Sequence, residues 1–307
     1  MFCDESVVIG EWIYLGILVV PEPKEQILLD DLLNSRCGNP QKDKIWGKCN
    51  PLCRYHSKND TEVRFSDISK SKDKYFVADR WLDYFLRDRD KIYFHILGID
   101  LTKLDKSKFG NGGQNIIYNR FFRTAILKPV KTYFNRYVKI FIDSIYHDEN
   151  KALETHSYFP WHSIFSIDEQ DGKITFKTKE INFINSDHKD SSNQYSNFIQ
   201  FIDLLLGCVR NCIDHFSKDD DKEKLALKSL PIIERLIEAP NNVSSSYNYV
   251  GRQKIEFFPK HDLKNLDERS IEYQSKRMAS FYAGRKLKIK EKAQLPLLYN
   301  NCHENPS

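Results

Sequence analysis

Short apolar runs separated by polar, turn-forming residues divide this chain into alternating strand-like and helix-like segments. The first run lies in residues 8–20, as Trp12-Ile13-Tyr14-Leu15-Gly16-Ile17-Leu18-Val19-Val20, and is stopped by Pro21 and Pro23. With residues 1–4 it predicts a hairpin turning near residues 5–10. Ile27, Leu28 and Leu32 give residues 25–35 a helical spacing, ended by Cys37-Gly38-Asn39-Pro40. Tyr75, Phe76, Trp81, Leu82 and Phe85 predict a helix over 73–89, and Ile92-Tyr93-Phe94-His95-Ile96-Leu97-Gly98-Ile99 a buried strand over 91–100.

Beyond a loop with Gly110, Gly112 and Gly113, a long helix is expected over 115–137, kinked or broken at Pro129. The apolar run Val138-Lys139-Ile140-Phe141-Ile142 reads as a strand that ends on Asp143. Residues 164–184 predict one or two strands around Asp171-Gly172, a hairpin signal. Then follow an apolar helix over 193–216, a helix over 223–238 ahead of Pro240, a strand over 254–258, and a helix near 271–284 with a basic tail. This alternation implies an α/β sheet flanked by helices over residues 1–216. Residues 37–59 form a polar insert, and residues 217–307 an accessory extension.

Composition changes this picture only in places. The 40% hydrophobic residues, with 20 Phe and 16 Tyr, suffice for a large core. No apolar run reaches 18 residues and no basic segment precedes an apolar one at the N-terminus, so a cytoplasmic protein without a membrane partner is expected. The seven cysteines, an odd number, fit free thiols or a metal site better than a disulfide framework. A net charge of +4 is small, but residues 101–142 hold nine Lys/Arg against Asp105 alone, and residues 275–292 hold seven against Glu291 alone. Such stretches suit a phosphate backbone or, equally, a solvated helix face. Arg120, Arg123 and Lys131 are the candidate phosphate contacts, since Phe122, Ile126 and Val130 share one side of the same helix as core.

Four acids carry the candidate chemistry: Asp4, Glu62, Asp143 and Asp203. Asp4 and Asp143 each end an apolar run, so two adjacent strands would present them beyond the sheet. Gln200, Asp203 and Gly207 share a helix face at spacings of three and four. Gly207, lacking a side chain, lets that face come close. Converging carboxylates are suited to Mg²⁺ or Mn²⁺, and a pair of ions about 4 Å apart would support phosphodiester hydrolysis. Each acid alone also has a plain reading: a turn cap for Asp4, a pair with Arg64 for Glu62, a helix cap for Asp143, a satisfied helix acid for Asp203. Cys37, Cys49, Cys53 and His56 make a Cys₃His set that would suit structural zinc, although the spacing fits no common finger and free thiols remain the alternative.

Four motifs in order resemble one family. They are Asp4-Glu5-Ser6, Glu62-Val63-Arg64-Phe65-Ser66, the strand over 138–142 ending in Asp143, and Ile199-Gln200-Phe201-Ile202-Asp203-Leu204-Leu205-Leu206-Gly207. Over residues 1–216 the chain resembles the family called domain of unknown function 3800, whose fold is ribonuclease-H-like. The resemblance implies a mixed sheet flanked by helices and a two-ion nuclease site for RNA or DNA. Asp4, Glu62, Asp143 and Asp203 would be the ligands, Ser6 and Gln200 their supports, and Arg64 a substrate contact or a further support. The alternatives are a catalytically silent nucleic-acid-binding or protein-interaction module on the same fold, and a phosphohydrolase acting on nucleotides.

Overall fold

The long apolar run forms the middle of the molecule because both of its faces are covered. The structure, a computed structural model, describes residues 1–8, 11–38, 62–88, 91–109, 114–148, 172–186, 194–214, 217–238 and 251–259. Strand β1 (Phe2–Val8) and strand β2 (Trp12–Val19) pair antiparallel, and β2 pairs antiparallel with β3 (Tyr93–Asp100). All eight residues of β2 are buried. Trp12, Tyr14 and Leu18 point to one core and Ile13, Leu15 and Ile17 to the other, so the strand is uniformly apolar rather than alternating.

The first core is closed by four helices: α1 (Glu22–Ser35), α2 (Lys72–Arg87), α4 (Ser196–Asp214) and α5 (Asp220–Glu238). Helix α4 lies directly on β1 and β2. Gly16 makes room for it, since a Cβ there would stand 2.9 Å from Leu206 Cδ1. Helix α3 (Gln114–Tyr133) covers the opposite face through Ile117, Phe121, Phe122 and Ile126, and runs through Pro129 without a break.

The strand expected to carry Asp143 into the sheet lies elsewhere. Strand β4 (Ile140–Ile142) pairs with β6 (Ile174–Phe176) in a separate two-stranded sheet. Its Phe141 is 62% exposed, and Val138 just before it 87%, so this apolar run is not a core strand. The next segment, β5 (Ile145–Asp148), takes the place beside β1 in parallel, and β7 (Ile181–Ile184) pairs parallel with β5. The two strands expected within 164–184 therefore join different sheets.

The described part of the C-terminal stretch is built into the same unit. Helix α5 packs on α4 and α2, and β8 (Gln253–Phe258) lies parallel to β3 at the sheet edge, giving the order β7-β5-β1-β2-β3-β8. Glu256 of β8 fixes that edge. Although burial works the other way, bonds from His95, Lys128 and Lys254 hold its carboxyl well below the usual carboxylate range.

Gly207 of α4 faces the 3-10 helix at Phe65–Lys70, not the sheet, and a Cβ at this position would overlap the Phe65 ring. Gly207→Ala is expected to lower unfolding stability by about 2 kcal/mol through overpacking, read from urea unfolding.

Candidate functional site

Strand pairing alone brings two acids together. In the β1–β5 register Phe2 faces Tyr146 and Cys3 faces His147, so one residue further along come Asp4 and Asp148, on the α4 side of the sheet. Asp203 descends onto them from α4, because Gly16 and the small approach distance let that helix settle close to β1 and β2. The three line a cavity of about 210 Å³ together with Glu5, Arg64, Ser186, Ile199 and Gln200.

Backbone donors hold each carboxyl. The Glu5 N–H donates to Asp4 Oδ1 at 2.8 Å, the Phe65 N–H to Asp203 Oδ2 at 2.6 Å, and the Ser186 N–H to Asp148 Oδ1 at 3.1 Å. Gln200 ties together the two segments that supply the Phe65 and Ser186 donors. It accepts from the Val63 N–H at 2.9 Å and from Arg36 Nη2 at 2.6 Å, and it donates to the Ser186 carbonyl at 2.6 Å. Arg36 is itself buried, stacked 4.8 Å above the Trp81 ring, and bonded to Asn197. Gln200 thus joins α1, the Val63 segment and Ser186 at the rim of the cavity.

Glu62 stands just outside the cavity lining. Arg64 Nε bonds Glu62 Oε1 at 2.5 Å, Arg64 Nη2 donates to Ser186 Oγ at 2.7 Å, and Ser186 Oγ donates to Glu62 Oε1 at 2.7 Å. On the far face of the sheet, His147 is fully buried between Glu5 and Tyr118. Its Nε2 is 3.1 Å from Glu5 Oε2 and 2.9 Å from the Tyr118 hydroxyl, while Nδ1 meets the Asp148 carbonyl at 2.8 Å. This strut ties β1 to β5 directly behind the two acids.

Electrostatics mark the site more clearly than geometry. Burial, then the charges of Asp203, Glu5 and Asp148, push the Asp4 carboxyl well above its ordinary value. Burial pushes Asp203 to about 6, against the pull of the Phe65 N–H and Arg64, with Asp148 adding repulsion and Asp4 hydrogen-bonded to it. Asp148 is raised as well, by burial. Hard oxygen donors that repel one another and bind protons too tightly are a donor set that fits Mg²⁺ or Mn²⁺. Among the described residues no group of three or more His, Cys, Asp or Glu side chains is already drawn together around an ion-sized space.

Asp143 is not part of this arrangement. Its side chain is 72% exposed and pairs with Lys177 at 3.0 Å, a bond that lowers its carboxyl below the ordinary value. Asp148 stands with Asp4 and Asp203 in the place expected of it. Ser6 does not touch the acids; its hydroxyl accepts from Arg210 at 2.7 Å. Arg120, Arg123 and Lys131 lie on α3, across the sheet from Asp4, and none lines the cavity. Arg120 instead bonds the Lys108 carbonyl at 3.1 Å. Cys37 is buried at the end of α1, whereas Cys49, Cys53 and His56 lie outside the described residues.

Asp148, Ser186, His147 and Tyr118 went unread in the sequence. The signal was present for Asp148, which closes a four-residue strand, Ile145-Tyr146-His147-Asp148, only two residues after Asp143. Comparison of the chain with protein-family models, with curated proteins and with solved structures finds no match.

Between pH 4 and 6 the folded protein keeps a proton on Asp203 that the unfolded chain has released, so stability falls as pH rises through that window. Asp203→Asn keeps an oxygen for the Phe65 N–H and removes this penalty. In chelator-treated buffer the variant is expected to be more stable than wild type at pH 7.5 by about 2 kcal/mol, with the gain gone at pH 4, as read from thermal melts.

Proposed function

We propose that the chain is a Mg²⁺- or Mn²⁺-dependent nuclease, hydrolysing phosphodiester bonds of RNA or DNA on a ribonuclease-H-like core. The observation that supports it best is the meeting of Asp4, Asp148 and Asp203 from two neighbouring strands and one crossing helix, with all three carboxyls raised. The mixed sheet with helices on both faces agrees with the fold that the motif resemblance implies.

Asp4, Asp148 and Asp203 would hold the ions, with Glu62 beside them. Divalent ions bound there supply an activated water and neutralise charge on the leaving oxygen of an in-line displacement. The protein's own contribution is positional. Backbone N–H groups at Glu5, Phe65 and Ser186 aim the carboxylates, and the proton held between Asp4 and Asp203 leaves before both can act as ligands. Arg64 provides positive charge at the mouth for an incoming phosphate.

The test is cleavage of labelled RNA and DNA oligonucleotides in Mn²⁺. Asp4→Asn, Asp148→Asn and Asp203→Asn are each expected to lose activity at least about 100-fold, and Asp143→Asn to stay within about threefold of wild type. Binding of the polymers by wild type with no cleavage would instead identify a silent module, and hydrolysis of mononucleotides alone a nucleotide phosphohydrolase. We also propose structural zinc on Cys37, Cys49, Cys53 and His56. About one equivalent is expected by elemental analysis of protein purified without chelator, and less than about half an equivalent counts against it.

A further inference from the structure

We propose that Arg64 is the resident counter-cation of the carboxylate site, offsetting the charge of its acids in the ion-free protein and giving up that place when a divalent ion enters. The inference rests on reading the cavity as a divalent-ion site. Among the residues lining the cavity, Arg64 is the cation set against Asp4, Glu5, Asp148 and Asp203. Its guanidinium is held by Glu62 through Nε at 2.5 Å, and by Ser186 through Nη2 at 2.7 Å. From there Nη2 reaches Asp148 Oδ2 at 3.8 Å, too long for a hydrogen bond but close enough for charge attraction, and its charge also draws on Asp203. One guanidinium thus sits among three acids that come from a loop, a strand and a helix.

Two features make the place exchangeable. The Arg64 side chain is 44% exposed, so it can swing into solvent without leaving a cavity. The acids do not need it for their positions, because Asp148 and Asp203 are each fixed by a backbone N–H. A divalent ion brought into the same space would stand within a few ångströms of the guanidinium, where like charges repel strongly in a half-buried site. One positive charge must therefore give way, and the one on a flexible, half-exposed stem is Arg64.

The experiment is calorimetric titration with Mn²⁺ of wild type, Arg64→Gln and Arg64→Lys. Arg64→Gln is expected to bind Mn²⁺ about tenfold more tightly than wild type, the scale of a partly solvated charge pair removed from competition. Arg64→Lys, which keeps the positive charge, is expected to stay within about threefold of wild type. Equal or weaker binding by Arg64→Gln overturns the inference while leaving the metal-site reading intact. Failure of both wild type and Arg64→Gln to bind Mn²⁺ overturns both. Should Arg64→Gln not fold, Arg64→Met serves in its place, and the rise in melting temperature on adding Mn²⁺ should then exceed that of wild type; an equal or smaller rise overturns the inference.

Discussion

Three carboxyl groups share one half-buried crevice, and the surrounding structure serves to make their repulsion bearable. In water each would shed its proton near the ordinary value; here burial raises all three carboxyls, and the neighbouring acids raise Asp4 further. Such a crevice survives only if it is over-determined from several sides. Backbone N–H groups meet the carboxyl oxygens, Gln200, held by Arg36, joins the two segments that carry the Phe65 and Ser186 donors, and the Glu5–His147–Tyr118 strut ties the two strands from behind. Mutually repelling groups held this firmly are what a functional site of the proposed kind requires.

The parts of the fold that were readable before any coordinates are those where burial leaves no choice. The eight buried residues of β2 admit one reading, and so does helix α2, whose Val77, Trp81 and Phe85 recur on one face. Asp4 and Asp203 were readable for a related reason, since an acid embedded in an apolar strand or helix needs an explanation beyond solubility. Asp143 looks like such an acid for the same reason, yet the structure places it in solvent. Val138, Ile140, Phe141 and Ile142 look like a core strand, yet Val138 and Phe141 are largely exposed and the strand pairs outside the main sheet. The true neighbour of β1 has only one aliphatic residue, Ile145, and its buried His147 reads as polar until Glu5 and Tyr118 are seen around it. Periodicity reports burial, and it cannot report which of two adjacent strands wins the central place.

The basic helix teaches the complementary lesson. Charge counted along the chain marked Arg120, Arg123 and Lys131 as candidate phosphate contacts, but the sheet lies between them and the acids. Arg64, by contrast, is one cation in a mixed segment, and three-dimensional pairing with Glu62 and Asp148 gives it its importance. Electrostatic density in sequence and electrostatic contact in space are separate quantities.

One consequence follows from the outermost strand. Because β8 arrives from far along the chain to lie against β3, the hydrogen-bonding rim of β3 stays covered only while that late segment is in place. A polypeptide emerging from the ribosome must carry an open, strongly apolar rim until residues 253–258 have been made, a state that invites strand addition by neighbouring chains. Glu256 meets His95 and Lys128 on arrival, so a foreign strand without a matching acid would forgo those contacts and fit this edge less well.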